Sequence, residues 1–148
     1  MKYMVTGATG HLGRLVMEEL LKKVDPGQVA VSVRSVEKAN DYAQKGVEVR
    51  RGDFDEPDLL VETFKDIERL LIISTDGDNA TRIRQHGNAI EAAKKAGVEV
   101  LVYTSLANAS DSKLFLAEVH QKSEEAIKKS GMDYIILRNK TKNGKSED

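Results

Sequence analysis

The chain has 148 residues, of which 40% are hydrophobic and 32% charged, with a formal net charge of −1. That length predicts one domain burying roughly two thirds of its unfolded surface, and that balance excludes a disordered or fibrous polymer and a long-range field for nucleic acid or an anionic membrane. The absence of Cys excludes disulfides, thiolate zinc sites and thiol nucleophiles; no apolar run approaches the ~20 residues that span a bilayer, so a cytoplasmic protein is expected.

A short apolar run predicts a first strand over residues 2–6. It leads into Gly7-Ala8-Thr9-Gly10-His11-Leu12-Gly13 and a helix over 11–24, with Leu12, Val16 and Leu20 at spacing four. In such a turn Gly7 takes a backbone conformation that side chains forbid, and Gly10 leaves no side chain between backbone and pyrophosphate. Gly13 lets the helix pack close to the strand, and the helix N-terminus offers free N–H groups to the phosphates. A dinucleotide is therefore the predicted ligand.

The second strand, 29–34, ends at Arg34, 21 residues past Gly13. A carboxylate commonly holds the ribose 2′-hydroxyl there, whereas a guanidinium forms a fork with a 2′-phosphate, so NADP(H) is expected over NAD(H). A helix over 36–45 precedes a third strand, 47–51, which ends in Gly52-Asp53-Phe54. Asp53 can accept from an adenine amino group and Phe54 can flank the ring; a plain turn explains the same residues.

A helix over 57–64 leads to the fourth strand, 69–74, which brings Ser74 and Thr75 to its carboxyl end. Hydroxyls there suit the middle of a cofactor, and they also cap helices. A helix over 79–96, a strand over 98–104, a helix over 115–129 and a strand over 134–138 complete the domain. Pro26-Gly27, Gly46, Gly97 and Gly131 punctuate helix ends, while Ser35 and Asp55 are predicted N-caps.

Five consecutive right-handed crossovers give an α/β, Rossmann-type doubly wound parallel sheet of six strands, order 3-2-1-4-5-6, with helices on both faces. Residues 1–139 form the domain, and 140–148, without an apolar residue, form a polar tail. The sixth strand is left as an edge that invites a second copy.

Taken in order, Val5 to Gly13, Val33-Arg34-Ser35, Gly52-Asp53-Phe54, Leu70 to Ser74, Gln85-His86-Gly87-Asn88, Val102 to Leu106 and Ile136 to Asn139 resemble the NmrA-like atypical short-chain dehydrogenases/reductases. Within that family they resemble the NAD(P)H:quinone oxidoreductase type, from Met1 to about Asn139. The resemblance implies that Gly7 to Leu12 hold the pyrophosphate, Arg34 the 2′-phosphate, Asp53 and Phe54 the adenine, and Ser74 with Thr75 the cofactor's middle. It also implies a quinone-like hydride acceptor and a further substrate-binding segment that residues 140–148 do not match, so a shortened chain with little turnover is expected.

Short-chain reductases of the ordinary kind place Tyr-x-x-x-Lys on the helix after strand five, where Lys lowers the Tyr pKa for proton exchange. This chain has His120 and Glu124 there, on one helical face. His120 is the candidate proton donor to a reduced quinone, weighed against an ordinary exposed helix face, which carries more weight. His11 is expected at solvent, His86 in a structural contact to a neighbouring strand, and no residues have metal-ligand spacing. Three readings remain: NADPH-dependent quinone reduction, an NADP-sensing regulatory module without catalysis, or a non-functional fragment that keeps only part of the cofactor cleft.

Overall fold

The computed structural model describes residues 2–73, 78–107 and 113–140. Strands β1 (Tyr3–Thr6), β2 (Val29–Val33), β3 (Glu48–Arg51), β4 (Arg69–Ile73), β5 (Val100–Ala107) and β6 (Asp133–Lys140) form one sheet in the order β3-β2-β1-β4-β5-β6. Every neighbouring pair is parallel. The predicted doubly wound order is the one observed.

Side-chain alternation divides the core between the two faces. Val5, Val31, Val33 and Ile73 pack beneath α1 (His11–Lys23) and α2 (Asn40–Gln44). Met4, Leu70, Ile72, Leu101 and Tyr103 lie on the other face with Leu60 of α3 (Pro57–Thr63), Ala89 and Ile90 of α4 (Asn79–Ala96), and Ile127 of α5 (Lys113–Ser130). β2 is buried along its whole length, which is why its Val-Ala-Val-Ser-Val run is almost uniformly apolar.

The helix expected over 36–45 is two pieces. A 3₁₀ turn, Val36–Ala39, precedes α2, because Ala39 (φ −108°, ψ 16°) leaves the α region between them. Ser35 precedes that turn, but its hydroxyl donates to the Glu37 carboxylate at 2.7 Å instead of capping. β5 starts later than expected because Val98 N–H closes the end of α4 on Ala93 O, around Gly97 at φ +85°. β5 and β6 run on in register to Ala107 and Lys140, one residue past the expected boundary at 139. Backbone pairing carries those residues, and an apolar pattern does not report it.

Ile136 packs against the α4–α5 core, so alternation puts Ile135 and Leu137 on the opposite face, where they are 46% and 38% exposed. Among the described residues no helix is long and apolar enough to cross a membrane.

Candidate functional site

The carboxyl ends of β1, β2, β3 and β4 open into a cleft of about 450 Å³. Thr6 leads into it: its hydroxyl donates to Leu71 O at 3.2 Å and accepts from Ile73 N–H at 3.1 Å, tying β1 to β4 where both strands end. Gly7 then turns at φ +64°, and Gly10 N–H returns to Gly7 O at 3.1 Å. A Cβ on Gly13 would stand 1.9 Å from Gly7 O and 2.7 Å from Ala8 Cα, so only glycine lets α1 start this close to β1.

Gly10 is the N-cap of α1, with no side-chain cap and no acidic residue in the first turn. The first N–H groups of a helix have no intrahelical partner, and here the helix's own first turn brings no carboxylate to compete for the positive end of the dipole. Gly7, Thr9, Gly10, His11, Leu12 and Gly13 all line the cleft. Ala8 instead is fully buried, and its carbonyl accepts from the Tyr42 hydroxyl at 3.0 Å. Burial raises the Tyr42 pKa above its usual value, keeping that phenol a donor.

Ser32, Val33 and the exposed Arg34 form the second wall. Gly52 is pressed against β2: its N–H donates to Val33 O at 2.9 Å, and a Cβ would meet Ser32 Oγ at 2.3 Å. Asp53 and Phe54 follow and face the same cleft. Asp53 Oδ1 accepts from Asp55 N–H at 2.9 Å, the Asx turn that the plain-turn reading anticipates. Phe54 packs against the core, and its carbonyl accepts from Asn88 Nδ2 at 2.8 Å.

Asp55 is not the N-cap of α3; Glu56 stands there, followed by Pro57. Asp55 turns away to α4 because two donors wait for it, Arg84 Nη2 at 2.9 Å and Gln85 Nε2 at 3.4 Å. The Arg84 hydrogen bond, with that of Gln85, holds the Asp55 carboxyl below its ordinary range. Three side chains of α4 thus pin the 53–55 loop, and Gln85 also lines the cleft. Sequence reasoning missed Ser32, Val33, Gly52, Ile73 and Gln85 as lining residues; all but Ser32 sit in matched motifs, but only tertiary contact gives them this place.

Ser74 and Thr75 lie outside the described residues. His120 is half-buried, is not among the side chains lining the cleft, and has Nδ1 3.0 Å from the Tyr103 hydroxyl. The same hydroxyl is 3.3 Å from His86 Nδ1, which is itself 2.9 Å from Ser123 Oγ. His86 therefore makes the expected contact to a neighbouring strand.

The exposed-face expectation for His120 is corrected: Val119, Ser123, Glu124 and Ile127 are buried, while Gln121, Lys122 and Glu125 carry the solvent face. Burial, helped by the charges of Arg82 and His120, pushes the His86 pKa down to about 3. Burial likewise pushes the Tyr103 phenol up to about 12, so both are neutral near pH 7.

A parallel doubly wound sheet with an uncapped, glycine-built helix N-terminus at its carboxyl edge defines a dinucleotide-binding domain. This chain belongs to the NAD(P)H-binding family, whose profile matches residues 7–146. It is 42% identical over 135 residues to quinone oxidoreductase 2 of Escherichia coli K12, covering 91% of this chain and 47% of that protein. It is 34% identical to the NmrA-like family domain-containing oxidoreductase flvB of Aspergillus flavus, covering 93% and 47%. The Citrobacter sp. triphenylmethane reductase complexed with NADP(H) superposes with a TM-score of 0.88 at 44% identity, covering 94% and 49%. The chain thus spans about half the length of these relatives.

Proposed function

We propose that this chain is the cofactor-binding part of a cytoplasmic NADPH-dependent oxidoreductase acting on a quinone-like acceptor. One observation carries the reading: a single cleft gathers the Gly7–Gly13 turn, Arg34 and Asp53-Phe54 at one edge of the sheet. Two relatives support it, one named quinone oxidoreductase 2 and one crystallised with NADP(H).

A bound nicotinamide dinucleotide supplies a hydride, and the chain's own groups do the rest. The N–H groups at the start of α1 hold the pyrophosphate, with Gly10 leaving it room. Arg34 forks the 2′-phosphate, which sets the preference for NADP(H) over NAD(H). Asp53, already anchored through Oδ1, accepts from the adenine amino group, and Phe54 flanks the ring. Ser74 and Thr75 hold the cofactor's middle. His120, which lies off the cofactor cleft with Nδ1 3.0 Å from the Tyr103 hydroxyl, is the candidate proton donor to the reduced acceptor. Ile135 and Leu137 on the open face of β6 are the contact for a second copy, checked by sedimentation of Leu137→Lys, which should sediment as a monomer.

Calorimetric titration with NADPH, NADP, NADH and NAD tests the cofactor reading, and NADPH consumption with a quinone tests the reaction. Tight NADPH binding and quinone-dependent oxidation are expected. No heat with any nucleotide overturns the proposal; binding without oxidation leaves the NADP-sensing alternative.

A further inference from the structure

Gln85 carries a feature that the glycine turn and Arg34 do not explain. Its side chain lines the cleft beside Asp53 and Phe54, yet its Oε1 is buried and finds no donor among the described residues. A buried acceptor left unpaired costs free energy that a ligand donor recovers. Without a ligand the amide is oriented by Asp55: Nε2 donates to its carboxylate, and the reverse orientation would set carbonyl against carboxylate. Asp55 is itself held by Arg84 at 2.9 Å, so the anchor is firm while the 3.4 Å contact to Gln85 is long. The terminal torsion of Gln is broad, so the carbonyl can turn into the cleft when a donor arrives.

We infer that Gln85 is a specificity-determining residue for the purine base: its carbonyl accepts one N–H of an exocyclic 6-amino group, beside Asp53. The ligand class is a 6-aminopurine nucleotide. A 6-oxopurine places an acceptor at the same point, where it faces the Asp53 carboxylate and has no N–H to give the Gln85 carbonyl. The inference rests on the cofactor reading above and adds a base reader on α4 to it.

The test compares NADPH with its hypoxanthine analogue, the reduced deamino dinucleotide phosphate, by calorimetry on the full chain. Wild type is expected to bind NADPH at least tenfold tighter than the analogue. Gln85→Met keeps the length of the side chain and removes the acceptor; it should lose most of that preference by weakening NADPH and leaving the analogue unchanged. Gln85→Ala serves as the second variant, and circular dichroism establishes that each folds. If either folded variant keeps the full adenine preference with unchanged NADPH affinity, the role of Gln85 is overturned while the cofactor reading stands. A wild type that binds neither dinucleotide overturns both.

Discussion

Gly13→Ala and Gly10→Ala separate the two jobs of the glycine turn. A Cβ on Gly13 lands 1.9 Å from Gly7 O, and the atoms it meets are backbone that cannot rotate away. The start of α1 must retreat by about 1 Å, an overpacking whose usual cost runs to about 3 kcal/mol. Replacing glycine inside a helix returns about 1 kcal/mol of propensity, which leaves a net loss of about 2 kcal/mol. For a chain of this size that lowers Tm by about 4–8 °C.

Gly10→Ala is different. Its φ of −78° suits any residue, and its Cβ meets Gly7 O at 3.5 Å, an ordinary contact. The stability loss is that of a poorer N-cap, under about 1 kcal/mol. On the proposed placement of the pyrophosphate the new methyl stands in its way, so NADPH affinity should fall tenfold or more with Tm nearly unchanged. Thermal melts with and without NADPH, paired with calorimetry, read both quantities. A Gly10→Ala chain that binds NADPH as wild type does would refute the placement of the phosphates, and an unshifted Tm for Gly13→Ala would refute the tight strand–helix contact.

Four more outcomes are expected. Arg34→Asp should weaken NADPH far more than NADH in titrations of each, because a carboxylate repels the 2′-phosphate; equal losses sink the assignment. His86, at about 3 in the fold against 6.5 free, binds a proton only on unfolding between those values, so stability falls as pH drops through that window. Glu48, held to about 2 by hydrogen bonds from Arg50 and Lys2, adds stability above pH 4.5 that is lost toward pH 2. Denaturant melts from pH 7 to 4 should show the His86 slope, and His86→Gln should flatten it above pH 5; an unaltered slope assigns the effect elsewhere. Asn88→Ala frees the Phe54 carbonyl, with an expected stability loss of about 1 kcal/mol and several-fold weaker NADPH binding; an affinity equal to wild type would mean the loop is held without it.

The strand order was legible because every crossover announces itself as an apolar run followed by an amphipathic one, and handedness leaves few topologies. The glycine turn was legible for a sharper reason. At Gly13 the requirement is the absence of a Cβ, and a sequence states that absence directly. The split of the 36–45 helix was not legible, because Ala39 is a good helix former and leaves the α region there. Lys140 was assigned to the tail because strand pairing past Leu137 is made by backbone groups that every residue carries. Asp55 reads as an N-cap because it precedes a helix; the donors that draw it away sit 29 and 30 residues further on, in α4.

The two ends of the cleft are therefore built on different principles. The end proposed for the phosphates is made of main chain: a left-handed glycine, a close-packed helix start and free N–H groups, all within seven residues. The base end is made of side chains from distant segments, with the 53–55 loop held to α4 by Arg84, Gln85 and Asn88 and Gly52 wedged against Ser32. Main-chain sites tolerate change in their side chains and fail when a Cβ is added. Side-chain sites do the reverse: they can be retuned by a single substitution on α4 while the glycine turn stays intact. On the proposed placement of the cofactor, affinity for the phosphates and selectivity for the base are separable, so Gly10 and Gln85 should affect binding independently.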